Sequence, residues 1–143
     1  MCATSSSLNA HGVIRPSQDL DTVPDPAPDN LRCLARLLDD LGARHVGLGD
    51  FSPEEFPFDP TQPEDLEAGA NFRLETRLGD LDVMQWVAGI DNEPAYDSLT
   101  TEAIAGELNG IPLRVCSRAH LISMKRAAGR PRDLDDLARL GAD

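Results

Sequence analysis

The spacing of apolar and polar residues changes several times along the 143-residue chain, and each change marks an element. Asp19-Leu20-Asp21-Thr22-Val23 alternates with a period of two and stops at Pro24, which predicts a short strand with both aspartates on one face. Leu31, Leu34, Leu37, Leu38 and Leu41 then recur at helical spacing, with Asp29 as the expected cap and Gly42 as the expected stop. From Gly47 to Pro63 the prolines at 53, 57, 60 and 63 break both periods. This reads as a long loop carrying exposed Phe51, Phe56 and Phe58, either a lid or an insertion.

Two hairpins and two helices follow. Asn71 to Arg77 and Asp80 to Gln85 alternate on either side of Leu78-Gly79. Ile104 to Leu108 and Ile111 to Cys116 flank Asn109-Gly110, a pair that tolerates the positive φ of a tight turn. Ser117 caps a helix that runs to Ala128 before Gly129, and Pro131 opens another that runs to Leu140 before Gly141. Near the start, Ser5 to His11 has length for about two helical turns before Gly12. Strands followed by helices give an α+β domain, and the length suits one domain spanning residues 1–143.

Composition narrows the setting. Hydrophobic residues make up 41% of the chain, which favours a folded protein over a disordered one. No stretch reaches the roughly 18 to 20 apolar residues that span a bilayer, and Met1 to Leu8 lacks the basic and apolar blocks of a leader, so no membrane partner and a cytoplasmic location are expected. Cys2, Cys33 and Cys116 have neither disulfide nor zinc-site spacing and read as free thiols. The net charge of -12 repels nucleic acid on average. Arg114, Arg118, Lys125, Arg126, Arg130 and Arg132 nevertheless form a run without an acid until Asp133, which is either a local anion-binding surface or a solvated helix face.

The carboxylates carry the chemistry. Side chains two apart on a strand point the same way, roughly 6 to 7 Å apart, and can bracket a hard cation. A third carboxylate from a neighbouring strand completes an oxygen-rich site for magnesium, and Asp82, from the alternating Asp80-Leu81-Asp82, is the candidate. An acidic chain also produces Asp-x-Asp by chance, and solvated strand-end aspartates are the plain alternative. Trp86 reads as packing rather than a base-stacking platform, and His11 as a helix-end residue rather than a ligand.

His11-Gly12-Val13-Ile14-Arg15-Pro16-Ser17-Gln18-Asp19-Leu20-Asp21, followed by Asp29-Asn30-Leu31, resembles the signature of the minimal nucleotidyltransferase fold. It looks most like the bacterial toxin-type branch related to abortive-infection nucleotidyltransferases. The tail from Leu113 to Leu137, with Lys125 and Arg132-Asp133-Leu134-Asp135-Asp136, is similar to the lysine helix and acidic element of that branch. The resemblance implies a mixed sheet flanked by helices and two Mg2+ ions held by Asp19, Asp21 and Asp82. It also implies a nucleoside triphosphate (NTP) bound near Ser5, Arg15, Ser17, Lys125 and Asp133, with Asp19, Asp21, Asp82 and Lys125 catalytic. Lys125 meets phosphate charge, and Asp133 orients Lys125 or Arg15 or caps the last helix. Lys125 is the single lysine among 13 Lys and Arg residues.

Family members deliver an apolar strand into a glycine pair. Here those glycine positions fall on Thr4 and Ser5, with Met1 to Ala3 before them, so the N-terminal strand is expected to be missing. Three readings follow. The first is a magnesium-dependent nucleotidyltransferase moving a nucleoside monophosphate to RNA such as tRNA, or to protein, as the toxin of a toxin-antitoxin pair whose antitoxin is a further partner. The second is a degenerate binding module that keeps the fold without turnover. The third is a metal-dependent nuclease using the same aspartates.

Overall fold

A computed structural model describes residues 2–3, 19–47, 52–91, 94–108 and 110–142. The strands are β1 (Cys2–Ala3), β2 (Asp19–Val23), β3 (Arg44–His45), β4 (Phe72–Thr76), β5 (Gly79–Val83), β6 (Ile104–Leu108) and β7 (Ile111–Val115). The described helices are α1 (Pro28–Asp40), α2 (Pro63–Ala68), α3 (Ala95–Thr101), α4 (Arg118–Ala128) and α5 (Pro131–Arg139), with a 3-10 turn at Pro53–Glu55. The strands form one mixed sheet in the order β3-β4-β5-β2-β1-β7-β6. No described helix is long and apolar enough to cross a membrane.

Both hairpins form as the alternation predicts. In the first, Thr76 pairs Gly79 across a two-residue turn, and Gly79 takes a φ of 124°, a backbone state that suits glycine. In the second, Leu108 pairs Ile111 and Gly110 adopts positive φ. The helix stops are also as expected: Gly42, Gly129 and Gly141 all have positive φ, and the α4 end is closed by the Gly129 N–H donating to the Lys125 carbonyl at 3.0 Å.

The expectation of a missing N-terminal strand is corrected. Cys2 and Ala3 form β1, antiparallel to β2 and parallel to β7. Two residues are too short to show a period, and β1 exists because β2 and β7 each present unpaired backbone groups to the space between them. It joins what would otherwise be two smaller sheets, and it ends where Thr4 and Ser5 begin.

Other expectations also change. Asp29 does not cap α1: the helix starts at Pro28, with Ala27 at the cap position and Asp29 in the first turn, paired to Arg32. Phe56 and Phe58 are not exposed but pack on the core beside buried His45, whose Nε2 lies 2.8 Å from the Phe58 carbonyl oxygen. The His45 and Phe56 ring centroids are 4.6 Å apart. That anchoring holds part of the expected loop, which contains the 3-10 turn Pro53–Glu55, against the core, and α2 begins at its last residue, Pro63; Phe51 lies outside the described residues, as does the Ser5 to His11 helix. The short elements β3 and α3 also went unread in the sequence.

The two sheet faces differ in kind. Strand register puts Leu20, Leu81 and Leu74 in one row and Thr22, Val83 and Phe72 in the next. This apolar face meets Leu31, Leu34, Ala35 and Leu38 of α1 and Leu66 of α2 in one core. The opposite face carries Asp21, Asp82 and Arg73 in one row. Val23, two residues beyond Asp21, is buried in a second core with Ala95, Leu99, Cys116, Leu121 and Leu140. The layer of α3, α4 and α5 therefore covers β2 at Val23.

Candidate functional site

The parallel pairing of β2 with β5 places Asp21 beside Asp82 and Asp19 beside Asp80. Directly paired residues on neighbouring strands share a face, so Asp21 and Asp82 stand next to each other with Cβ atoms about 5 Å apart. Both are partly buried, and Thr22 Oγ1 ties the strands by donating to the Asp82 carbonyl oxygen at 3.1 Å. Asp19 is set two positions earlier on β2; its side chain lies outside the described residues, as do Ser5, Arg15, Ser17 and His11 altogether. Among the described residues no group of three or more His, Cys, Asp or Glu side chains could hold a metal ion.

The second part of the site is the α4–α5 corner. Ser117 caps α4 by accepting from the His120 N–H at 3.1 Å. Leu121 is buried, and Lys125, one turn further along the same stripe, carries that stripe to its polar end. On α5 the inward stripe is Asp133, Asp136, Leu137 and Leu140, so two of its four positions are carboxylates. Asp133 is 0% and Asp136 2% exposed. Buried charges persist only when paired, and here both converge on one ammonium: Lys125 Nζ lies 3.0 Å from Asp133 Oδ1 and 2.9 Å from Asp136 Oδ2.

Arg130, in the two-residue link between the helices, closes the cluster. Its Nε donates to Asp133 Oδ2 at 2.6 Å, and its backbone N–H donates to the same oxygen at 3.2 Å. Asp133 thus both caps α5 and holds Lys125. Burial alone would raise the Asp133 pKa, but hydrogen bonds and charge from Arg130 and Lys125 outweigh it and bring the carboxyl from 3.8 to about 2. The Arg130 pKa is raised, first by its bond to Asp133, against a smaller opposing effect of burial, and then by the charges of Asp133, Asp21 and Asp136. The charge of Asp21 thus acts on Arg130 in the same direction as that of Asp136.

The basic run is largely committed within the protein. An Arg114 Nη donates to the Thr100 carbonyl oxygen at 3.0 Å, Arg118 donates to the Leu140 carbonyl oxygen, and Lys125 and Arg130 serve Asp133 and Asp136. The run is therefore mainly a set of ties between α3, α4, α5 and the sheet, rather than an open cationic surface. Trp86 is 44% exposed and rests beside Gly69, and its backbone is held at both polar groups by Asn71.

Sequence reasoning named Asp133 as a partner of Lys125 but missed Arg130 and the equal share of Asp136. The available signal was the α5 periodicity, which puts both aspartates on the buried stripe, where each requires a cation.

No protein-family model matches this sequence, and no curated protein or solved structure matches it.

Proposed function

We propose that the protein is a magnesium-dependent nucleotidyltransferase that moves a nucleoside monophosphate from a triphosphate to RNA or protein. The observation that carries this reading is the in-register pair Asp21 and Asp82, and the Lys125–Asp133–Asp136–Arg130 cluster supports it. Two adjacent carboxylates suit magnesium, which commonly takes one or two carboxylates and completes its shell with water and substrate phosphates. Asp21 and Asp82 would hold it, with Asp19 as the third carboxylate given by motif position. The ion, when bound, stabilises negative charge that develops on the α-phosphate and on the pyrophosphate leaving group.

The chain's own residues do the rest. The strand pairing fixes Asp21 and Asp82 against one another, so little is lost in ordering them when substrate arrives. In this reading Asp82 takes the proton of the attacking hydroxyl, and Lys125 meets phosphate charge. Asp133 and Asp136 hold the Lys125 ammonium in one position, so its charge is directed before binding. The toxin role, with an antitoxin as partner, is the wider setting in which such an activity would act.

Titration calorimetry with magnesium and a non-hydrolysable triphosphate tests the binding half of this reading. Expected is magnesium-dependent binding by the wild type that Asp21→Asn and Asp82→Asn each abolish. Binding that is indifferent to magnesium and to both substitutions would overturn it.

A further inference from the structure

Arg73 stands directly across from Asp82, which itself pairs with Asp21, so the three occupy one row on the same face of the sheet. The Arg73 side chain is exposed, and among the described residues it makes no hydrogen bond or ion pair. Asp82 is itself engaged elsewhere, so the cross-strand salt bridge that an arginine opposite an aspartate can make does not form at Arg73. Its neighbours on the same face behave otherwise, since Arg44 lies 3.9 Å from Glu75.

The backbone around Arg73 leaves its stem room. Gly47, at a φ of 70°, has no side chain, and a Cβ there would meet Arg73 Cδ at 3.7 Å. The strand order puts β4, and with it Arg73, on the side of the Asp21–Asp82 pair away from β1 and from β7, the strand that leads into α4. A substrate lying over Asp21 and Asp82 would find cations at both ends: one set neutralised by buried aspartates, the other a single uncommitted guanidinium.

We propose that Arg73 is a phosphate-binding residue of this site, contacting the substrate on the side opposite Lys125. This rests on the reading of Asp21 and Asp82 given above. A guanidinium suits the role because its planar fork binds two phosphate oxygens at once. The phosphate comes either from the nucleotide or from an RNA acceptor strand entering across β4.

The test measures binding of magnesium with a non-hydrolysable triphosphate, and separately of a single-stranded oligoribonucleotide, to wild type, Arg73→Gln, Arg73→Lys and Asp21→Asn. Thermal melting confirms that the exposed position has not altered folding. Arg73→Gln is expected to weaken one of the two ligands about tenfold, with Arg73→Lys recovering part of the loss, because a charged bidentate contact becomes a neutral one. Loss confined to the triphosphate assigns the nucleotide phosphate; loss confined to the oligoribonucleotide assigns the acceptor. Wild-type binding that is sensitive to Asp21→Asn but unchanged in Arg73→Gln would overturn the role of Arg73 and leave the carboxylate site standing. Failure of the wild type to bind triphosphate with magnesium would overturn both.

Discussion

Lys125 donates from Nζ to Asp133 Oδ1 at 3.0 Å, and the same ammonium lies 2.9 Å from Asp136 Oδ2. One cation thus supports two buried carboxylates on the adjoining helix, and the docking of α5 on α4 depends on it. Lys125→Met keeps the stem but leaves the buried charge undercompensated, with Arg130 as the remaining partner of Asp133. The expected loss is about 3 kcal/mol or more in unfolding free energy, read from urea denaturation. Adding Asp133→Asn and Asp136→Asn should recover part of it, because the uncompensated charges go with the lysine. A Lys125→Met protein as stable as wild type would contradict the placement of this cluster.

Acid should weaken the same corner. The Asp133 carboxyl has a folded pKa of about 2 against 3.8 unfolded, so the unfolded state takes up the proton first as pH falls. The contribution to stability is fully present above about pH 4 and is lost between pH 4 and 2. One pKa unit corresponds to about 1.4 kcal/mol, which makes the loss on the order of 2 kcal/mol. Denaturation curves of wild type and Asp133→Asn across that window should converge toward low pH; curves that stay parallel would contradict the assignment.

Gly89 ties the turn after Trp86 to the lysine helix. Its φ is 85°, and a Cβ there would lie 2.5 Å from the Ser123 carbonyl oxygen and 3.0 Å from Ala127 Cβ. Gly89→Ala therefore combines backbone strain with a clash against helix backbone, which side-chain rotation cannot relieve. The expected cost is about 2 to 4 kcal/mol by urea denaturation. Gly42→Ala, with open space around the added methyl and φ strain alone, should cost less.

Long periodic segments were legible in the sequence. The α1 stripe apart from exposed Leu37, both hairpins, and the helix from Ser117 to Ala128 stand where alternation and Gly, Ser or Pro signals put them. The two-residue strands β1 and β3 were not, since their formation is decided by edges that distant strands leave open. The aromatic anchoring of Phe56 and Phe58 on His45 was hidden for the same reason: proline spacing suggested exposure, and a contact remote in sequence reversed it.

Within the site, strand alternation made Asp19 and Asp21 visible as a pair. Their alignment with Asp80 and Asp82 became visible only in the β2–β5 register, because pairing between strands so far apart in the chain leaves no local period. The basic run shows the opposite error. Charge counting cannot tell a cation facing solvent from one such as Arg118, whose guanidinium reaches the end of another helix.

The central claim is that Asp21 and Asp82 support magnesium-dependent transfer of a nucleoside monophosphate. Its most direct test is a label-transfer assay with α-labelled triphosphates, magnesium and total tRNA, run on wild type, Asp21→Asn and Asp82→Asn of matched thermal stability. The account predicts label on RNA or on protein with the wild type, a fall of about 100-fold or more in each variant, and no transfer when magnesium is chelated. Transfer that survives either substitution, or a folded wild type that transfers no label to RNA or protein from any of the four triphosphates, would contradict it.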